Sequence, residues 1–312
     1  MFRPSAKLRT PVTDRFIDIA ESPASLNFEN GLLVIRRHDH SVQKVPIMDL
    51  GALVISHRQV VFTQNLLAAL AEAGVLLICC DERHQPAGML LPLKNHYAQV
   101  ERFRAQASAT LPKKKRLWKE IVSNKIIMQG RTLVRLYGED SGVAPLARRV
   151  RSGDPDNIEA VAAQRYWQRI FADPKFRRSA DEDPRNAMLN YGYALLRAVI
   201  CRALCAAGLH PSLGLNHRNR YNAFVLADDL MEPLRPLVDE RVVRLCQRLD
   251  VHELGINRQT KHDLLEMLIE RYLTGGEKRT MFDLAGRWAQ GLAAVYLGQK
   301  EVIGLETVEP AC

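Results

Sequence analysis

Three places in the second half of the 312-residue chain set ionisable side chains into runs that are otherwise apolar or built of small residues. Glu159 stands in Asn157-Ile158-Glu159-Ala160-Val161-Ala162-Ala163, where a helix N-terminus would favour an acid for its dipole alone. His217 sits in the turn-rich run Gly214-Leu215-Asn216-His217-Arg218-Asn219-Arg220-Tyr221-Asn222, where an imidazole can equally be a hydrogen-bonded turn residue. Asp228, Asp229 and Glu232 interrupt an apolar helical pattern, with Asp229 and Glu232 at i, i+3 and Asp228 and Glu232 at i, i+4. Two carboxylates held close repel, which favours a cation between them or a raised pKa. A Glu on one helix, a His after another and a carboxylate on a third could converge on a hard divalent ion. Oxygen ligands suit Mg²⁺, and one imidazole makes Mn²⁺ acceptable. Such an ion can polarise a phosphoryl oxygen, orient an attacking hydroxyl and stabilise a leaving oxygen.

The charge points to the same chemistry. The chain carries a formal +9, and +7 of it falls on residues 111 to 150, which hold ten Lys and Arg against three acids. The remainder is nearly balanced, with 12 basic against 10 acidic groups before this stretch and 22 of each after it. Lys113, Lys114, Lys115, Arg116, Lys125 and Arg131 are its candidate contacts to nucleic-acid phosphates. On a helix they do not make one perfect stripe, so part of the run can be a solvated face.

These residues need elements to position them. Residues 15 to 93 read as strand-rich, with β-branched runs at Arg15–Ile19, Ala24–Phe28, Gly31–Arg36, Val42–Pro46, Ala52–Ile55, Val60–Phe62 and Val75–Cys79. One helix, Asn65–Ala73, is expected to close at Gly74. From about Tyr97 the period becomes helical, predicting helices over Tyr97–Ala109, Arg116–Tyr137, Asn157–Phe171, Ala187–Ala207, Ala223–Leu249, Lys261–Leu273 and Met281–Leu297. Pro233 and Pro236 should limit the helix around Glu232. The fold class is therefore α+β: an N-terminal β-sandwich-like domain over residues 1–100, then a larger all-α catalytic domain over 101–312. Gly298 to Cys312 reads as a mobile tail.

Composition excludes several classes. At 47% hydrophobic and 25% charged the chain is neither disordered nor fibrous, and no Walker-type glycine loop is present. Cys79, Cys80, Cys201, Cys205, Cys246 and Cys312 lack zinc-ribbon spacing and read as reduced, mostly buried thiols. With no span long enough for a bilayer and no signal-peptide core, the expected location is cytoplasmic.

The string GLHPSLGLNHRNRYNAFVLADDLMEPLRP, Gly208 to Pro236, closely resembles the metal-site region of the CRISPR-associated integrase-endonuclease that captures new spacers. Asn186-Ala187-Met188-Leu189-Asn190-Tyr191-Gly192-Tyr193 is similar to that family's helical signature, and Glu159 with Tyr166 following sits where the family has its first ligand. The wording GLNHRNRYNAF looks most like the version found in systems whose effector is a single RNA-guided nuclease. The resemblance implies Glu159, His217 and Glu232 as ligands of Mg²⁺ or Mn²⁺, at intervals of 58 and 15 residues, and Asp229 as a further acid of the catalytic site. Asp228 is left between a capping and a solvated role. His217 is either a ligand or a general acid or base, since imidazole titrates near neutrality.

The family's fold implies a β-rich domain that forms a homodimer and a helical domain that carries the metal. Two such dimers flank a dimer of the small second CRISPR adaptation protein, giving a heterohexamer on double-stranded DNA. The implied reaction inserts a prespacer into the repeat array by transesterification from its 3′-hydroxyl. Two other readings use the same residues: a non-catalytic DNA-binding adaptor, and a stand-alone nuclease acting on branched DNA.

Overall fold

A computed structural model describes residues 15–82, 86–91, 96–178, 183–216 and 220–311. The first part of the chain forms β1 (Arg15–Ile19), β2 (Ala24–Glu29), β3 (Leu32–Arg37), β4 (Val42–Pro46), β5 (Leu50–Ile55), β6 (Val60–Phe62), α1 (Gln64–Ala73), β7 (Leu76–Cys80) and β8 (Pro86–Leu90). The strands make two four-stranded sheets, ordered β1-β5-β7-β8 and β4-β3-β2-β6. Asn30 and Gly31, both at positive φ, make the tight β2–β3 turn. α1 begins where the Leu66 amide donates to the Thr63 hydroxyl, and it ends, as expected, at Gly74 with φ 67°.

The first sheet serves two cores because side chains alternate along a strand. Leu53, Ile55 and Leu77 face Leu26, Leu33 and Ile35 of the second sheet and Leu66 and Leu70 of α1. Ala52, Val54, Leu76 and Ile78 point the other way, into the helical core.

That core is built from α2 (Gln99–Ala107), α3 (Leu111–Tyr137), α4 (Ile158–Arg169), α5 (Pro184–Ala206), α6 (Val225–Met231), α7 (Arg235–Arg248), α8 (Arg258–Glu266) and α9 (Met281–Tyr296). α5 is buried on most of its surface and packs against α6, α7, α8 and α9, with α3 lying along α4, α7 and the Glu232–Leu234 turn. Among the described residues no helix is long and apolar enough to cross a membrane.

Three expectations are corrected. The C-terminal part is not all-α: β9 (Tyr272–Thr274), β10 (Glu277–Arg279) and β11 (Glu309–Pro310) form a small antiparallel sheet. The single helix over Ala223–Leu249 is two, separated by a 3₁₀ turn at Glu232–Leu234. Pro233 has no amide to continue the ladder, whereas Pro236 falls in the first turn of α7, where no amide is needed, so the chain bends and resumes.

The segment after Gly298 is docked along α3 and is no mobile tail. Glu120 accepts hydrogen bonds from the amides of Ile303 (2.9 Å), Gly304 (2.8 Å) and Leu305 (3.2 Å). Asn124 donates to the Leu305 carbonyl, Ile303 and Val308 are buried, and β11 pairs with β9. Glu120, Asn124 and Met128, spaced by four, present one face of α3 to this strap, and the Val308 amide meets the Met128 sulfur at 3.3 Å.

Candidate metal centre

Glu159 stands in the first turn of α4, and the loop before it explains why a helix starts there. Gly153, Asp154 and Asn157 all take positive φ, which curls the loop back so that the Asp154 carboxylate receives the amides of Ile158 and Glu159, each at 2.9 Å. Those amides have no intrahelical partner, and an acid there also meets the favourable end of the helix dipole. The buried stripe Ile158, Ala162, Tyr166, Ile170 then seats α4 in the core.

Glu232 occupies the 3₁₀ turn between α6 and α7 and is 3% exposed. Lys125 of α3 joins it to Glu159: its ammonium lies 2.7 Å from Glu159 Oε1 and 2.6 Å from Glu232 Oε2. Burial acts against the charged lysine, but Glu232 and Glu159 together outweigh it and hold its pKa above the usual lysine range. The other Glu232 oxygen, Oε1, takes a hydrogen bond from Arg235 at 2.8 Å, and the Arg235 guanidinium lies 4.4 Å from the centre of the Tyr193 ring.

Asp229 is fully buried. Its Oδ2 accepts from the amides of Leu215 (2.6 Å) and Asn216 (3.2 Å), the two residues before position 217. Asp228 holds the chain on the other side, with Oδ2 taking Asn222 Nδ2 and Oδ1 taking Arg197 Nε, both at 2.6 Å. The two adjacent acids therefore pin the ends of the loop that carries the predicted histidine. His217 itself lies outside the described residues. Among the described residues no group of three or more His, Cys, Asp or Glu side chains is placed to hold a metal.

Behind the site, Asp239 of α7 accepts hydrogen bonds from Tyr193 on α5 and, at 2.8 Å, from Tyr166 on α4. Burial pushes Asp239 up to about 6 despite these donors. Both phenols are raised well above their usual range, by burial first and by Asp239 second. Asn186 and Asn190 hold Arg178, whose guanidinium lies over Trp167 and Tyr193. The asparagines of the Asn186–Tyr193 signature thus brace the aromatic wall of the site.

The basic stretch divides in two. Lys115, Arg116, Lys119, Arg131, Arg148 and Arg149 are exposed, and Lys114 is half-buried. Lys113 instead donates to the Val295 and Tyr296 carbonyls at the C-terminal end of α9, where a cation is favoured. Lys125 is a correction to its predicted phosphate contact: its ammonium is held between Glu159 and Glu232, and its side chain is only 12% exposed. Its neighbours Ile121, Val122, Ile126 and Met128 are all buried, and those apolar residues were the signal that a lysine there points inward. Arg235 and Asp239 were missed as well, since nothing local distinguishes them from surface charges.

The geometry can be set beside known proteins. The family model for CRISPR associated protein Cas1 matches residues 17–271. The chain belongs to the Cas1 family. A CRISPR-associated endonuclease Cas1 of Neisseria meningitidis serogroup C (strain 8013) is 40% identical over 233 residues, covering 74% of this chain and 75% of that one. Among solved structures, a casposase bound to integration product superposes with a TM-score of 0.74 at 19% identity over 92% of both chains. A Cas6-RT-Cas1–Cas2 complex gives 0.70 at 18% identity, covering 96% of this chain and 36% of the larger one. These two likenesses show that the Cas1 family member shares their fold. The relative is named an endonuclease, and the family is one of CRISPR-associated proteins.

Proposed function

We propose that this chain is a metal-dependent DNA integrase and endonuclease that inserts new spacers into a CRISPR array, with Glu159, His217 and Glu232 as ligands of Mg²⁺ or Mn²⁺. The observation that carries the reading is the convergence of Glu159 and Glu232, from α4 and the α6–α7 turn, on one cationic atom. Two acids that already share an ammonium form a donor set suited to a hard divalent ion. When bound, such an ion supplies Lewis-acid stabilisation of a phosphoryl group and lowers the pKa of a coordinated hydroxyl.

The chain's own residues do the rest. Asp229 anchors the amides of Leu215 and Asn216, and Asp228 anchors Asn222, the described residues on either side of His217. Arg235 fixes the second Glu232 oxygen and leaves the first turned toward Glu159. In the reaction the 3′-oxygen of the incoming DNA loses its proton and bonds to phosphorus, while the bond from that phosphorus to the 3′-oxygen of the repeat strand breaks and that oxygen is protonated. One phosphodiester replaces another, so no nucleotide cofactor is consumed. His217 serves as a ligand or as the carrier of one of these protons.

Lys114, Lys115, Arg116 and Lys119 at the start of α3 lie roughly 9 to 17 Å along the helix from Lys125, given a rise of about 1.5 Å per residue. That distance lets them hold the DNA backbone a few phosphates from the site. The family resemblance and the relation to a Cas1–Cas2 assembly support double-stranded prespacer and repeat DNA as substrate, a homodimer through the N-terminal part, and a Cas2 partner in a heterohexamer.

The test is to incubate a labelled prespacer duplex and a leader–repeat duplex with the protein, its Cas2 partner and either Mn²⁺ or EDTA, and to size the products. Joined products that need Mn²⁺ and disappear in Glu159→Gln and Glu232→Gln are expected. Shortened products alone would identify a nuclease, and DNA binding with no product would identify an adaptor. Joining by Glu159→Gln at the wild-type rate would refute the assignment.

A further inference from the structure

A lysine is an expensive residue to place between two carboxylates in a protein interior. The Lys125 side chain is 12% exposed and the Glu232 side chain 4%, so three charges are partly withdrawn from water. The lysine stem also gives up several rotatable bonds. Its backbone has little freedom, because Asn124 is tied to the docked strap through the Leu305 carbonyl and Ile126 is fully buried. Arg235 answers Oε1 of Glu232 at 2.8 Å. Oε2 of Glu232 and Oε1 of Glu159 therefore face each other across the single ammonium of Lys125, and without it two acids would repel in a medium that screens them poorly.

We infer that Lys125 is the built-in counter-ion of the metal-free site: from α3 its ammonium holds Glu159 and Glu232 together from two separate elements, and it must leave them when a divalent ion binds. This rests on the proposal that the two glutamates are metal ligands. Lys125 is then a positioning residue with two opposed effects. It keeps the ligands assembled when no metal is present, and it weakens metal binding by competing for the same oxygens. A singly charged ion gains nothing over an ammonium there, so the competition also favours dications.

The experiment uses the full chain, Mn²⁺ alone, and Lys125→Met, which keeps the length of the stem and removes the charge. Free Mn²⁺ is followed by electron paramagnetic resonance, and thermal melts are recorded with and without the ion. In Lys125→Met the Mn²⁺ affinity should rise at least about tenfold, because no charge-assisted hydrogen bond has to be broken. The metal-free melting temperature should fall, and Mn²⁺ should raise it by more than in the wild type. A folded Lys125→Met with unchanged or weaker Mn²⁺ affinity overturns the inference.

A second measurement needs no variant. Acylation of Lys125 in the wild-type protein, read by mass spectrometry, should increase several-fold at saturating Mn²⁺, and no increase at saturation also overturns it. Glu159→Gln and Glu232→Gln separate the two ways of failing. Wild-type Mn²⁺ affinity in both would mean that the metal site lies elsewhere and would overturn both readings. Loss of binding in both, without a gain in Lys125→Met, would remove the counter-ion role alone.

Discussion

Adding one methyl group at Gly291 should dislodge the C-terminal strap from the helical core. Gly291 lies in α9 beneath the docked chain, and a Cβ there would press well inside contact distance of the Ile303 carbonyl oxygen and come within 3.2 Å of its carbon. The obstacle is backbone, so no side chain can rotate away. Accommodating the methyl must move the strap and strain the three amides held by Glu120, or push α9 off α5. Overpacking of this kind costs about 1–3 kcal/mol. For a chain of this size that corresponds to a melting temperature lower by about 1.5–5 °C. Gly286, five residues earlier in the same helix, has nothing within 4 Å of its Cβ position and supplies the control. Gly286→Ala should stabilise by roughly 0.5–1 kcal/mol, the ordinary helix preference for alanine. The assay is a thermal melt of both variants with hydrogen exchange read at Ile303, Gly304 and Leu305. A Gly291→Ala protein that melts like the wild type, with those amides still protected, would refute the close packing of strap against helix.

Other perturbations follow from the site. Asp239 is raised to about 6 when folded from an ordinary value of 3.8, so its stabilising contribution is complete below pH 3.8 and is lost as the pH rises through about 6. The stability of the wild type relative to Asp239→Asn should therefore fall by up to roughly 3 kcal/mol between pH 4 and pH 7, and parallel melts with no such divergence would contradict the burial of the acid. Asp229→Ala removes the acceptor of two loop amides and should cost about 2–4 kcal/mol, since hydrogen bonds to charged groups are worth roughly 1.5–3 kcal/mol each and water replaces part of the loss; increased proteolytic cleavage between Leu215 and Asn222 would report the freed loop. Replacing Lys115, Arg116 and Lys119 by alanine should weaken duplex binding and reduce the slope of log K against log salt by up to about 2.7 if each meets one phosphate. Lys113→Ala should leave that slope nearly unchanged while lowering the melting temperature, and the opposite pattern in a salt titration would return Lys113 to the DNA surface.

The N-terminal strands were legible almost residue by residue, because short β-branched runs alternate there with turn formers such as Asn30-Gly31, and β1 to β7 lie within two residues of where the pattern puts them. β8 was missed since it opens on a proline and contains Ala87 and Gly88, which carry little strand signal. β9 to β11 have two or three residues each and are made by long-range pairing, which no local period can announce. The same holds for the strap: nothing between Gly298 and Cys312 is periodic, and its partner Glu120 lies 183 residues from Ile303. Glu159 and Glu232 could be picked out by type and context. The burial of Lys125 could not come from a charge tally, which counts a lysine equally whether it faces water or two acids. Asp228 and Asp229 look alike in sequence and are separated only by which loop end each one holds.

The sheet β1-β5-β7-β8 gives its alternate side chains to two cores, and this bears on how the molecule can come apart. Splitting the chain near residue 100 would leave Ala52, Val54, Leu76 and Ile78 uncovered on one fragment and the matching face of α5 uncovered on the other. Neither piece is then a natural unit for expression. The strand-rich and helical parts should melt in one co-operative transition, and any load borne by the first sheet passes straight to α5, against which the α6 acids that pin the His217 loop are packed.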